Sequence, residues 1–260
     1  MKDDVASIID YLDTSSVTQT TYGLHILDHL LFRLIAEIET QSESHPSELL
    51  QEFIDTQDNV AFNLVSYLVD AYRYDLPEKE QLLLNRSIQG CLLIHPASRL
   101  VFNRAKNMKR LLHVLSDLPK TSITVAVIST LIHVLLKCPT NYRVFEACGG
   151  CSIVIRHLRL NSADEISQPA ATATTSVSGQ IARTSTSLAF DQQTLNFKII
   201  EFLMLYLSEE EEQEEQEGEG EGFDHYKQRK TVQEKAKLFE KEFPEIDLLI
   251  ENLNSLGSLQ

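Results

Sequence analysis

The sequence predicts an all-α protein made of stacked helical repeats, and three observations carry that expectation. The stretch Gln89 to Leu115 returns 43 positions later: Leu92 and Leu93 fall on Leu135 and Leu136, and Pro96 falls on Pro139. Val101 and Phe102 fall on Val144 and Phe145, and Leu111, Leu112 and Leu115 on Val154, Ile155 and Leu158. Each copy has the same order, an apolar helix stopped by a proline, a short connector ending in Val-Phe, and a second apolar helix. Elsewhere in the chain apolar residues recur at helical spacing. A helix-only repeat of roughly 40–47 residues is the signature of an armadillo- or HEAT-like helical solenoid, expected here as a single domain. One such unit cannot bury its apolar face alone and must stack on its neighbours.

The chain has 260 residues and 43% hydrophobic content, enough for a packed core. No run approaches the roughly 18 consecutive apolar residues of a membrane helix, so no membrane insertion is expected. The first residues, Met1 to Val5, carry acids where a signal peptide carries bases. Cys91, Cys138, Cys148 and Cys151 sit unevenly in apolar contexts, which suits reduced core thiols in the cytoplasm or nucleus. The formal charge of −15 is unevenly spread. Residues 81–160 hold eleven Lys or Arg against two acids, a local +9, while nine glutamates crowd between Glu209 and Glu221. An acidic total argues against general nucleic-acid binding, yet the basic middle can attract an acidic partner segment.

Residues 1–160 read as N-terminal and central helical repeats. Val5, Ile8, Ile9 and Leu12 are helically spaced, Thr14 to Thr18 is turn-like, and Tyr22 to Glu39 is strongly amphipathic. Gln41 to Ser47 reads as a loop. Helix resumes at Leu49 to Ile54 and at Val60 to Tyr72, where Leu64, Val65 and Leu68 precede Leu111, Leu112 and Leu115 by 47 positions, a degenerate earlier repeat. Pro77 opens a helix to Ile94 and Pro96 stops it. Met108 to Leu118 is the inner helix. Ile123 to Leu136 follows, a helix by length and register despite its β-branched residues.

Residues 161–189, rich in Ala, Ser and Thr, read as a disordered insertion. Residues 190–207 supply the helix of a third repeat. That helix ends 70 positions after its counterpart, 27 more than one repeat, which is about the length of the insertion. Residues 208–222 are an acidic low-complexity tract expected to stay solvated. Residues 223–260 read as capping helices, with a Thr231–Glu234 capping box, a helix through Phe239, a break at Pro244 and a last helix Ile246 to Leu253.

Candidate chemistry is sparse, and no enzyme activity is expected. Cys148-Gly149-Gly150-Cys151 has redox or zinc spacing but no second close ligand pair, and its glycines fall at an inter-helix turn where φ > 0 is often needed. His25 and His29 could share a helix face, yet lack the glutamate of a zinc protease. There is no phosphate loop and no nucleophile elbow, and no cysteine is followed six residues later by the arginine of a tyrosine phosphatase. Neither metal nor cofactor is expected.

The basic run Arg99, Arg104, Lys106, Lys109 and Arg110 is the most suggestive polar feature. A solvated helix face explains it, and so does a partner groove. If Met108, Leu111, Leu112 and Leu115 face the core, Lys109, Arg110 and His113 face away, with Ser152 and Arg156 at matching places one repeat on. The partner-contacting residues expected on this reading are Arg99, Lys109, Arg110, His113 and Arg156. A homodimer is left open.

Three stretches carry a resemblance: Gln89 to Phe102, Pro139 to Glu146 and Lys198 to Leu207. They look like the fungal cell-division-control family of the septation initiation network, which shares a number with a mitotic-exit phosphatase but is unrelated to it. Its motif positions here are His95, Pro96, Ser98, Phe102, Asn141, Arg143, Phe145 and Glu146. The Ser/Thr-rich insertion and the glutamate tract depart from the family core. The resemblance implies a non-catalytic subunit that binds and activates a germinal-centre-type protein kinase, in the cytoplasm and at the spindle pole body, promoting septum formation and cytokinesis. The runner-up is a general armadillo-like adaptor in transport or cytoskeletal organisation.

Overall fold

The computed structural model describes residues 1–40, 47–117, 120–159, 178–210 and 229–257, and every regular element among them is helical. The first half contains α1 (Lys2–Leu12), α2 (Val17–Thr40), α3 (Glu48–Asp58), a 3-10 turn (Val60–Phe62) and α4 (Leu64–Ala71). Then come α5 (Glu78–Ile94), a longer 3-10 segment (Pro96–Asn103), α6 (Ala105–Ser116), α7 (Thr121–Leu135), α8 (Pro139–Ala147) and α9 (Gly150–Ile155). The chain closes with α10 (Ser178–Tyr206), α11 (Val232–Ala236) and α12 (Ile246–Gly257). No helix among the described residues is long and apolar enough to cross a membrane.

The 43-residue echo is written in the backbone. His95, before Pro96, has φ −126° and ψ 82°, and Cys138, before Pro139, has φ −132° and ψ 79°. Each proline takes the first position of the following segment, where a missing N–H costs nothing. Pro96 therefore ends α5 and starts the next segment, whereas α7 already ends at Leu135, and Lys137 turns the chain with φ +52° before Pro139 starts α8. The connector expected in each copy is itself helical, 3-10 after Pro96 and α after Pro139. Phe102 and Phe145 anchor these segments in the core, and Leu111 with Val154 and Leu112 with Ile155 are buried pairs in register.

The long helices α2, α5, α7 and α10 pack against one another in chain order. A second row runs α4, α6, α9, and the 3-10 segment Pro96–Asn103 bridges α3 and α8. One apolar core runs from Val5 in α1 to Ile246 in α12. Buried polar groups fix the stacking. Gln89 Nε2 donates to Ala126 O (3.2 Å) and Thr130 Oγ1 (3.0 Å), and Tyr72 OH donates to Asn85 Oδ1 (2.8 Å). The β-branched stretch of α7 is helical because Ile123, Val127, Ile128 and Val134 are all buried, and burial outweighs a weak strand propensity.

Several boundaries differ from expectation for physical reasons. α2 starts at Val17 instead of Tyr22, because Ser16 Oγ accepts from Gln19 N and Ser16 O receives Thr20 Oγ1. α10 starts at Ser178, so the end of the stretch expected as an insertion is helical backbone. Once the Leu195–Tyr206 turns are anchored, each further residue adds one hydrogen bond without a new nucleus. α11 has the expected capping box on Thr231 and Glu234 but ends at Ala236. The loop expected at residues 41–46, the remainder of the insertion and most of the acidic tract lie outside the described residues.

Candidate functional site

The basic row of α6 forms as its amphipathic pattern requires. Met108, Leu111, Leu112 and Leu115 are buried, which turns Lys106, Lys109, Arg110 and His113 to the other side. These four line a groove of about 640 Å³ whose far wall is the turn after α4, including Tyr72, Arg73, Tyr74 and Asp75. Arg110 pairs with Asp70, and His113 Nδ1 lies 3.1 Å from Asp117 Oδ2. Lys106 and Lys109 are exposed and have no ion pair among the described residues.

The other two expected contact residues lie elsewhere. Arg156 does not join the groove: its Nη2 donates to Glu242 Oε1 (2.7 Å) and ties α9 to the turn before α12, and this carboxylate raises the guanidinium pKa. Arg99 is half-buried and donates from Nε to His133 O (3.0 Å), satisfying a carbonyl in the last turn of α7. Burial lowers its pKa, with Cys138 opposing. The expected five-residue face is therefore reduced to Lys109, Arg110 and His113, joined by Lys106.

The polar family-motif positions turn inward and form two polar junctions, while Phe102 and Phe145 lie in the core and Pro96 is exposed. In the first, Asn63 Nδ2 donates to Ser98 Oγ (2.7 Å), Ser98 Oγ lies 2.7 Å from His95 Nδ1, and His95 Nε2 lies 2.9 Å from Asp58 Oδ1. The tautomer with hydrogen on Nε2 fits these contacts, donating to Asp58 and accepting from the Ser98 hydroxyl at Nδ1. The chain of bonds ties α3 and the start of α4 to the 3-10 segment. Ser, His and Asp also make hydrolytic triads, but here Ser98 is 2% exposed and its oxygen already accepts from Asn63. Asn141 serves the next repeat, donating to Arg99 O (2.8 Å) and Val134 O (2.9 Å).

The second junction is a buried ion cluster. Arg143 Nη1 lies 3.2 Å from Glu146 Oε1, and Arg143 Nη2 pairs with Glu210. Lys230 Nζ lies 2.5 Å from Glu146 Oε2, and Lys235 Nζ lies 3.2 Å from Glu210 Oε1. Lys235 also donates to Tyr206 O (3.0 Å) and Ser208 O (2.7 Å), which satisfies carbonyls at the end of α10. Tyr206 OH donates to Glu146 Oε1 (2.6 Å) while its ring packs on Tyr142, Phe145, Phe202 and Phe239. Burial raises the Tyr206 pKa and lowers that of Lys235, with Glu210 opposing the latter. Tyr206, Glu210, Lys230 and Lys235 were not legible as a cluster in the sequence. The Thr231–Glu234 capping box places Lys235, and that box was the one available signal.

The Cys148–Cys151 glycines have a backbone role. Gly149 has φ +75°, a left-handed turn, and a Cβ on Gly150 would stand 2.2 Å from the Phe145 ring. Cys151 Sγ donates to Tyr206 OH (3.6 Å) and burial pushes its thiol up to about 12, whereas Cys148 lies against Ala105 O at 3.9 Å. No group of three or more His, Cys, Asp or Glu that could hold a metal ion lies among the described residues. His25 and His29 are both exposed on α2.

One histidine has a pH consequence. His157 Nε2 lies 3.2 Å from Leu115 O, joining α9 to α6, and burial lowers its pKa below 6.5, with the Leu115 carbonyl opposing and Arg159 reinforcing. The folded state holds the ring neutral while the unfolded state protonates it. Stability therefore falls as pH drops below about 6.5 toward the lower folded value. Thermal melts at about pH 7.5 and 5.5 should show a larger loss for the wild type than for His157→Gln. Equal losses would reject a role for this ring.

A family model described as cell division control protein 14, SIN component, matches residues 36–259. No curated protein and no solved structure matches the chain.

Proposed function

The chain belongs to the cell division control protein 14 family, a component of the septation initiation network, and from that premise we propose that it is a non-catalytic subunit that binds and activates a germinal-centre-type protein kinase. On this reading the helix rows form an armadillo-like stack, and the complex works in the cytoplasm and at the spindle pole body to promote septum formation and cytokinesis. The observation that carries the reading is the α4–α6 groove. It holds two lysines, Lys106 and Lys109, that have no ion pair among the described residues, on a chain whose net charge is −15. Such a groove favours an acidic or polar segment of the kinase, outside its catalytic lobe, by charge complementarity. The chain's own glutamate tract starts elsewhere, with Glu210 held by Arg143 and Lys235.

Lys106→Glu with Lys109→Glu is the variant of choice. Both side chains are exposed, so stability should change by less than about 0.5 kcal/mol. Arg110 is left alone because Asp70 depends on it. In co-purification from dividing cells the wild type should bring down the kinase. Titration of the purified kinase should show affinity for the double variant weakened by more than about tenfold. Unchanged affinity with an intact fold would show that the groove is the wrong surface, and absence of any kinase with the wild type would sink the reading itself.

A further inference from the structure

A basic stretch surrounds the start of α11 on this acidic chain. Residues 227–237 hold Lys227, Arg229, Lys230, Lys235 and Lys237 against one acid, Glu234. Three of these cations precede Thr231, by one, two and four positions. Cations placed there are the charge pattern by which a basophilic Ser/Thr kinase, whose substrate cleft is acidic, selects a hydroxyl. Thr231 is exposed, its backbone is extended at φ −67° and ψ 161°, and Arg229 to Thr231 lie outside any helix. The hydroxyl and the residues before it therefore have the form a kinase cleft takes.

The same hydroxyl holds α11 in place. Thr231 Oγ1 accepts from Glu234 N (3.2 Å) and donates to Glu234 Oε2 (3.0 Å), which also accepts from Thr231 N (2.8 Å). The bond from the Thr231 backbone lowers the Glu234 pKa, so this carboxylate is charged. A phosphate on Thr231 removes the donated hydrogen and sets nearly two negative charges against the carboxylate. It also competes with Glu146 for the adjacent Lys230, whose Nζ lies 2.5 Å from Glu146 Oε2. The dipole of a five-residue helix is too small to offset this. What α11 positions is the buried junction itself. Lys235 is wholly buried against Glu210 and the Tyr206 carbonyl, and just beyond it the Phe239 ring packs on that of Tyr206.

We propose that Thr231 is a phosphorylation site for a basophilic Ser/Thr kinase, and that the phosphate opens the capping box and releases α11 from the Arg143–Glu146–Glu210 junction. In the transfer, Thr231 Oγ1 bonds to the γ-phosphorus of a nucleoside triphosphate held by that kinase. The bond from phosphorus to the β–γ bridging oxygen breaks, the nucleoside diphosphate leaves, and the hydroxyl proton passes to the kinase's carboxylate base. This inference does not rest on the partner-kinase reading. Peptide mapping by mass spectrometry of the full chain, recovered from dividing cells with phosphatases inhibited, should find phosphate on Thr231. Arg229→Gln should lower its occupancy more than about tenfold. Phosphate absent from Thr231, or indifferent to Arg229, overturns the site. The consequence is read by hydrogen exchange on the full chain made by semisynthesis with phosphothreonine at position 231. The amides of Lys235, Lys237, Leu238 and Phe239 bond to carbonyls within residues 231–236. They should exchange more than about tenfold faster than in the unmodified chain, while those of α5 and α7 keep their rates. Thr231→Ala, which loses only the cap, should accelerate the same amides less. Acceleration by phosphate no greater than that of Thr231→Ala overturns the switch.

Discussion

Glu146→Ala is expected to lower stability by about 3–5 kcal/mol, the usual cost of breaking a buried charge cluster by removing one partner. Glu146 is 6% exposed at its side chain and is shared by Arg143, Lys230 and Tyr206 OH. Without it, Arg143 keeps only Glu210 among the described residues, and a buried phenol loses its acceptor. Lys230 can turn toward water because it is 31% exposed, but Arg143 at 6% cannot. For a chain of this size the melting temperature should drop by roughly 10 °C. Glu146→Gln should fall in between, since the amide oxygen still accepts from Tyr206 but no longer balances the guanidinium. A drop of less than about 2 °C for Glu146→Ala would mean that the cluster does not hold the C-terminal segment to α8 and α10.

Gly150→Ala should cost about 3 kcal/mol, at the upper end of overpacking effects. The new Cβ would meet three Phe145 ring atoms at 2.2, 2.3 and 2.6 Å. The ring has nowhere to retreat, because it lies 5.6 Å from the Phe202 ring and 5.8 Å from that of Tyr206. The adjacent Gly149→Ala meets no atom within 4 Å but must adopt φ +75°, a strain of roughly 1 kcal/mol. Urea unfolding of the two variants separates steric from backbone effects. Similar midpoints would show that Phe145 yields easily and that Gly150 is there for the turn alone.

What the sequence determined by itself was local and periodic. The helices, the 43-residue echo, the helix stop at Pro96, the Thr231 capping box and the outward row of α6 all follow from spacing, sterics and backbone hydrogen bonding within a few residues. The family motif was legible too, but its meaning was not. His95, Ser98, Asn141, Arg143 and Glu146 read as a signature, and only the fold shows them buried at junctions between repeats. The tertiary structure alone decided which cations were free. Arg110 answers Asp70, Arg156 answers Glu242, Arg99 answers the His133 carbonyl, and Lys235 answers Glu210 and the end of α10. These partners lie tens of residues away, and the Coulomb energy that joins them depends on distance in space, which no periodicity records. Exposure of Phe32 and Leu93 is likewise a tertiary fact: both fit helical apolar patterns, and only the packing of α2 against α5 leaves them uncovered.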